Sequence, residues 1–167
     1  MKIRTRLTAE AVVGGVLGSL DHPEALVLGR HDERGRFRVA GRTTLLPRAV
    51  RSEVGAVLQP AGAFHPWPAT LPPPRFGAAG PVAYTTVKPS VVVELVVDAA
   101  VDVIRGRPVW RHPVRFERIR AELRPTDLDP ARLCRTMASG GPNLPDPIVW
   151  PVVGRGALPG QGLGLLV

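Results

Sequence analysis

Proline and glycine interrupt this chain so often that long regular elements are excluded. The 167 residues include 19 prolines and 18 glycines. Each proline removes a backbone hydrogen-bond donor and each glycine adds conformational freedom, so the elements between them stay short and turns are frequent. The sequence therefore predicts a mainly β domain of short strands, with one segment regular enough to form a helix.

Three antiparallel strands are predicted in the N-terminal part of the chain. Residues 11–18 are apolar and contain the glycine pair 14–15, which indicates a β-bulge or sharp coil of the kind that a small barrel needs in its first strand. Residues 25–30 and 37–42 are predicted as the second and third strands. The polar, glycine-containing segment 31–36 between them is typical of a hairpin loop.

One helix is predicted over residues 46–58. Its apolar residues recur at helical spacing, and Pro47 is typical of a first helical turn. Thr43 or Thr44 is expected to cap its N-terminus. Residues 64–81, which follow, are dominated by proline and are expected to form a surface loop.

Strands return in the second half of the chain. Residues 82–88 are predicted as a short strand, and the valine-rich residues 91–97 as a longer one. Three strands, a helix and further strands favour a small five-stranded Greek-key barrel of the OB-fold type, with the helix between strands three and four. An SH3-like barrel or a split β-barrel fits the same order of elements, and the pattern alone leaves these alternatives open.

The arginine-rich segment 110–120 bears most directly on function. It holds four arginines, one histidine and two aromatic residues in eleven positions. A strand is expected to begin after Pro113, which cannot donate to a β-ladder. At period two its sides would carry Phe116, Arg118 and Arg120 on one and Arg115, Glu117 and Ile119 on the other. Guanidinium groups suit phosphate oxygens, although a charged edge strand explains the same composition.

This segment resembles motif VI of the ATP-dependent DNA ligases, which lies in their C-terminal OB-fold domain. The matching residues are Arg111, Pro113, Arg115, Phe116, Arg118 and Arg120. Where many family members continue Arg-x-Asp-Lys, this chain has Arg120-Ala121-Glu122-Leu123. The acid is therefore one methylene longer and the terminal lysine is missing, so any role of that lysine is not carried over.

Further segments resemble the OB domain of bacterial ATP-dependent DNA ligases, in the same order and at similar spacing. They are residues 11–16, 28–30, 41–43, 65–67 and 92–94. Together with motif VI they extend the resemblance over most of the chain. We therefore predict an OB-fold domain over residues 1–129 and a flexible, poorly ordered tail over residues 130–167.

The resemblance also implies which side chains contact phosphates. Nucleotide-phosphate contacts are expected from Arg120, Arg118 and Arg115 of motif VI, and from Lys2 and Arg4, which match the end of motif V. The DNA-binding candidates are Arg115, Arg118, Arg111, Arg75 and Arg42. In the whole enzyme this domain would close over the nucleotide, where the arginines orient the pyrophosphate leaving group. It would then clamp nicked duplex DNA.

No catalytic residue is expected in this chain. The ligase nucleophile is a lysine in a Lys-x-Asp-Gly motif, and neither of the two lysines, Lys2 and Lys88, stands in such a motif. ATP and magnesium are therefore expected only in the context of the whole ligase. The nucleotidyltransferase part would come from a separate chain or from coding sequence upstream, and the isolated chain is predicted to be inactive in strand sealing.

Other catalytic and metal-binding patterns are absent from the sequence. The four histidines lack metal-ligand spacing to acids or to Cys134, and no metal site is predicted. Neither Gly-x-Ser-x-Gly nor Gly-x-x-x-x-Gly-Lys occurs. Trp67, Trp110 and Phe76 suit stacking on bases, but packing roles are favoured for them.

Charge and composition bound the partners and the compartment. The net charge of +8 makes an anion the first expected partner, although part of the arginine excess is attributed to GC-rich coding. The chain has one cysteine and no apolar run long enough to span a bilayer, and its N-terminal residues are not expected to be a signal peptide. We therefore expect no membrane partner and a cytoplasmic, nucleoid-associated protein.

Two other functions explain the same sequence. A non-catalytic OB-fold module that binds nucleic acid through a basic groove accounts equally well for the charge and for the missing nucleophile. A degenerate ligase fragment is the third interpretation, because the residues after Asp129 are rich in glycine and proline and show no periodicity. The ligase interpretation, with a role in DNA repair, recombination or replication, is preferred because the matching segments keep their order and spacing.

Overall fold

A computed structural model describes residues 7–71, 82–97, 101–104, 107–130 and 135–136. Nearly all of the predicted tail lies outside the described residues. The elements in chain order are β1 (Leu7–Gly18), β2 (Pro23–His31), β3 (Phe37–Arg42), α1 (Arg48–Val57), β4 (Thr70–Leu71), β5 (Val82–Ala83), β6 (Thr85–Thr86), β7 (Val92–Val97), β8 (Val101–Ile104), β9 (Arg107–Trp110), β10 (Arg115–Ile119), a 3₁₀ turn (Pro125–Asp127) and β11 (Arg135–Thr136).

Five of these strands form a closed barrel. They are hydrogen-bonded in the order β10-β7-β1-β2-β3, and each pairing along this path is antiparallel. A parallel bridge between Thr43, after β3, and Val114, before β10, closes the ring. The Val114 N–H donates to the Arg42 carbonyl over 3.0 Å, and the Thr44 N–H donates to the Val114 carbonyl over 2.8 Å.

Helix α1 follows the third strand of this ring, β3, and precedes the fourth, β7. The molecule is therefore mainly β, with a small OB-like barrel and one described helix, and the predicted fold class is confirmed. Within the described part of the chain, no helix is long and apolar enough to cross a membrane.

β1 is the strand around which the sheet is built. It pairs with β2, β6, β7 and β11 at different points along its length, so it must curve from one neighbour to the next. Its pairing with β2 shifts register between Val13 and Gly15, which places a bulge at Gly14. The bulge predicted from the glycine pair is thus present.

Aliphatic side chains fill the barrel interior. Val13, Leu26, Val93 and Leu95 are fully buried, and they come from alternate positions of β1, β2 and β7. The helical segment covers this core through the buried side chains Leu46, Val54 and Leu58. Trp110 joins the same cluster at 5% exposure, which confirms a packing role for it.

A second apolar cluster packs on the outside of the barrel. Its buried members are Val12, Val27, Phe37, Trp67 and Val92. Trp67 stacks on Phe37 with ring centroids 4.6 Å apart, and its Nε1–H donates to the Phe37 carbonyl over 3.1 Å. A Cβ on Gly14 or Gly29 would lie 2.3 or 2.4 Å from the Trp67 ring. Glycine at both positions therefore lets the indole lie directly on β1 and β2, and Trp67 is a packing residue as predicted.

Two local predictions differ from the structure. Neither Thr43 nor Thr44 caps α1, because Pro47 occupies the N-cap position and makes no side-chain cap. Thr43 is buried instead, and its hydroxyl accepts a hydrogen bond of 2.9 Å from the Leu26 N–H, which joins β2 to the barrel closure. The predicted strand 82–88 is divided into β5 and β6, each of two residues.

Candidate nucleic-acid interface

The arginine-rich strand is β10, and its side chains do not alternate strictly. Its pairing with β7 shifts register between Phe116 and Arg118, so Glu117 is the extra residue of a β-bulge. Phe116 and Ile119 consequently both pack against the barrel core. The predicted sides were wrong: Phe116 does not share a side with Arg118 and Arg120, because the bulge reverses the alternation after it.

Arg118 and Arg120 lie over two glutamates from neighbouring strands. Glu10 of β1 and Glu94 of β7 are register partners. The Arg118 Nε lies 2.6 Å from Glu94 Oε2, and the Arg120 Nη1 lies 2.8 Å from Glu10 Oε1 and 3.3 Å from Glu94 Oε2. The Arg120 Nε also lies 2.5 Å from Glu122 Oε1. We call these five residues the Arg–Glu cluster.

The two arginines of the cluster differ in exposure. The Arg120 side chain is 17% exposed and contacts carboxylates that are 11% and 9% exposed, whereas the Arg118 side chain is 58% exposed. The hydrogen bond to Glu122 is the main cause that raises the pKa of Arg120 above its usual value. Hydrogen bonds from its own backbone and from Arg120 lower the pKa of Glu122. Arg120 is therefore a fixed, largely enclosed charge and Arg118 an accessible one.

The other predicted contacts are distributed around this cluster. Arg115 begins β10, and its 58% exposed side chain has Glu117 at 3.8 Å. Arg42 ends β3 at the barrel closure, where its carbonyl accepts from Val114. Arg111 is exposed in the turn between β9 and β10. The predicted residues outside the described part of the chain are Lys2, Arg4, Arg75 and Phe76. The phosphate and DNA roles of all the candidate residues stay predictions.

A second group of arginines, which the sequence did not single out, lies on the β2–β3 hairpin. Arg30, Arg34, Arg36 and Arg38 line a cleft of about 280 Å³ together with Asp32. We call this the hairpin cleft. Its signal in the sequence is arginine at even positions on both sides of a turn, a pattern that is equally typical of a solvated hairpin.

The described residues contain no group of three or more His, Cys, Asp or Glu side chains placed to hold a metal ion. In the part of the chain that the structure describes, arginine side chains gather in two places, the Arg–Glu cluster and the hairpin cleft. Guanidinium forks recognise phosphate and carboxylate oxygens. The arrangement is thus suited to binding and orienting anions.

These features define the chain as an OB-like barrel with arginines across its outer surface. It shares this fold with the ligase domain from M. tuberculosis LigD, with 22% sequence identity and a TM-score of 0.51 over 73% of this chain and 38% of that chain. A mycobacterial DNA ligase D complexed with ATP and MES matches with 23% identity and a TM-score of 0.49, over 73% of this chain and 37% of that chain.

The chain spans well under half the length of these two structures. The structural match to the LigD ligase domain confirms the expected resemblance to a ligase at the level of the fold. No family model matches the sequence, and no curated protein matches it.

Proposed function

We propose that this chain works as the OB-fold part of an ATP-dependent DNA ligase, with a nucleotidyltransferase domain that this sequence lacks. The observation that carries the proposal is the position of the motif VI arginines. Arg115 and Arg118 are exposed on β10, and Arg120 follows directly, on the strand that the ligase resemblance assigns to phosphate contact. The fold shared with the LigD ligase domain supports it.

In lysine adenylation the motif VI arginines would orient the pyrophosphate leaving group. ATP with magnesium supplies the activated phosphoanhydride, and this chain supplies preorganised positive charge where negative charge develops. Arg120 is the first candidate for this role, followed by Arg118 and Arg115. Lys2 and Arg4 would add nucleotide-phosphate contacts. In strand sealing the same domain would then bind nicked duplex DNA.

The Arg–Glu cluster determines which guanidinium atoms are available for phosphate. Arg118 bonds through Nε alone, so within the described residues both of its Nη atoms are without a hydrogen bond. It can therefore take a phosphate oxygen and keep its ion pair with Glu94. Arg120 donates through Nε to Glu122 and through Nη1 to Glu10 and Glu94, so its Nη2 is the guanidinium nitrogen left to bind a phosphate oxygen. Glu94 thus acts as a positioning residue that holds both guanidinium groups.

The proposal is tested by joining this chain, in place of the native OB domain, to the nucleotidyltransferase domain of a bacterial ATP-dependent ligase. We expect the fusion to restore transfer of labelled AMP to the catalytic lysine. Arg118→Gln should lower the rate about tenfold or more, since one charge-stabilising donor is lost. Arg48→Gln, which removes an exposed charge on α1, is the matched control and should not change it. A fusion no better than the nucleotidyltransferase domain alone would contradict the proposal.

A second candidate, an OB module that binds nucleic acid without nucleotide chemistry, accounts equally well for the net charge of +8 and for the missing Lys-x-Asp-Gly lysine. The same fusion distinguishes the two. Duplex binding by the chain together with no gain in AMP transfer would support the non-catalytic module. The isolated chain should form no covalent AMP adduct with ATP and magnesium in either case, because it lacks the nucleophile.

A further inference from the structure

The outer face of β2 and β3 carries an aromatic ring at the place where OB-folds bind oligonucleotides. In that fold the surface over strands two and three takes the ligand, and bases stack on aromatic side chains there. Phe37 of β3 stands on this face. Next to it Gly14 of β1 and Gly29 of β2 have no side chains, and a Cβ at either position would collide with the Phe37 ring. The face is therefore shaped for flat rings placed close to the sheet.

The chain's own Trp67 occupies the stacking position on Phe37. Its indole lies parallel to the Phe37 ring within 12°, with centroids 4.6 Å apart. The ring of His31 also approaches Phe37, with centroids 5.1 Å apart. Phe37 and Trp67 are consequently only 6% and 7% exposed. A nucleic-acid base can stack on Phe37 only after Trp67 has left.

Hydrogen bonds hold Trp67 and the residues around it on this face. The Trp67 Nε1–H donates to the Phe37 carbonyl over 3.1 Å, and the Trp67 N–H donates to His65 Nδ1 over 3.2 Å. The Tyr84 hydroxyl donates to the Pro68 carbonyl, and β4, which follows, pairs with β5. The chain is thus attached on both sides of the indole, and the stacking position is closed in the folded protein.

We propose that Trp67 is a specificity-determining residue, which excludes single-stranded nucleic acid from the stacking face of the barrel and leaves duplex DNA as the ligand. Single strands are bound largely through stacked bases. In a duplex the bases are already stacked on one another, and binding depends on phosphates. The exposed guanidinium groups of Arg115 and Arg118 suit that second mode. The duplex contact at β10 rests on the proposed function, and the closed stacking face is additional to it.

The test compares oligo(dT) with a nicked duplex of the same length, both fluorescently labelled, by anisotropy with the full chain. We expect the wild type to bind the duplex at least about tenfold more tightly. Trp67→Ala should raise the affinity for oligo(dT) about fivefold or more, the contribution of one stacked base. The slope of log affinity against log salt should not change, because stacking neutralises no phosphate. The affinity for the duplex should stay within about twofold of the wild type.

Three variants control for effects on the fold. Trp110→Ala also removes a buried indole, but from the barrel interior, and should not raise oligo(dT) affinity. Trp67→Ala/Phe37→Leu should lose the gain, because the ring on which the base would stack is missing. Tyr84→Phe deletes the hydrogen bond to Pro68 and leaves the core filled. It replaces Trp67→Ala if circular dichroism shows that variant to be unfolded, and it should raise oligo(dT) affinity by about two- to tenfold.

Unchanged oligo(dT) affinity in the folded opening variant would overturn the proposal, and so would an equal gain with Trp110→Ala. Within the described residues Phe64 is the one fully exposed aromatic side chain, at 98%. Tight wild-type binding to oligo(dT) that Phe64→Ala abolishes would show an open stacking site on that loop and would also overturn it. If the wild type binds neither DNA and Trp67→Ala gains oligo(dT) binding, the closure is supported and the duplex contact of the proposed function fails.

Discussion

Replacing Arg120 should cost the barrel stability, whatever it does to activity. We expect Arg120→Gln to lower the free energy of unfolding by about 2–3 kcal/mol at neutral pH. The change leaves Glu10 and Glu94 at directly opposed positions without the guanidinium that reaches both, at 2.8 and 3.3 Å. Like charges directly opposite each other on a sheet repel, and these carboxylates are only 11% and 9% exposed.

The magnitude follows from the burial of the cluster. Breaking a fully buried ion pair by removing one partner costs about 3–5 kcal/mol. This cluster is partly exposed to water, and Arg118 still neutralises Glu94 at 2.6 Å, so we expect a loss of about 2–3 kcal/mol, which is smaller than that for a fully buried pair. Adding Glu10→Gln to Arg120→Gln should recover part of the loss, about 1 kcal/mol or more, because it removes one of the two like charges.

Urea unfolding followed by far-UV circular dichroism measures these differences, with Arg48→Gln as a surface control expected within about 0.5 kcal/mol of the wild type. A loss below about 0.5 kcal/mol for Arg120→Gln would refute the reasoning. So would a further loss when Glu10→Gln is added. The result matters for function, since reduced adenylation by an Arg120 variant is interpretable only with its folded fraction measured, whereas Arg118 is largely exposed.

Two further predictions concern the outer apolar cluster. Gly14→Ala should destabilise the wild type by about 1–3 kcal/mol, because the added Cβ overpacks against Trp67, and should cost much less in a Trp67→Ala background. Gly62→Ala is the control, since a Cβ there meets nothing within 4 Å. Equal losses of stability for Gly14→Ala in the two backgrounds would contradict the prediction. Burial lowers the pKa of His65 from its usual 6.5, so the stability that the neutral ring contributes is present above that pH and lost as the pH falls through the folded-state value. Urea unfolding at about pH 7.5 and pH 5 should show a steeper loss for the wild type than for His65→Asn, and parallel losses would exclude this role.

The barrel could be predicted from the sequence because its signals are local. Apolar runs bounded by turn residues give β1, β2, β3 and β7, and the glycine pair in β1 gives the bulge at Gly14. The bulge in β10 could not be predicted, since Glu117 looks like an ordinary outward residue at period two. Only the pairing with β7 shows that Glu117 is an extra residue. One extra residue moves the side chains of all later residues in the strand to the opposite face of the sheet.

The candidate site was only partly predictable for a related reason. The arginines of β10 were found from a motif, but their carboxylate partners come from distant parts of the chain, and Arg120 and Glu10 are 110 residues apart. Thr43 likewise matched a helix cap locally, yet its hydroxyl is used by Leu26 across the sheet. The hairpin arginines are ordinary solubilising charges in sequence; strand register places Arg30 opposite Arg38, and the Arg30 Nη1 donates to the Glu10 carbonyl across the sheet.

The closure of the barrel has a mechanical consequence. Along one side β10 is paired with β7 by a ladder, whereas on the other side, within the described residues, the main-chain hydrogen bonds to β3 and the residues after it are those of Val114. A force on the arginines of β10, such as the pull of a stiff bound polymer, therefore acts on a strand that is held by a ladder along one edge and at one residue along the other. The contacts of Val114 are the weaker of the two attachments. We therefore expect a load on β10 to break the contacts of Val114 before it breaks the pairing among β7, β1, β2 and β3.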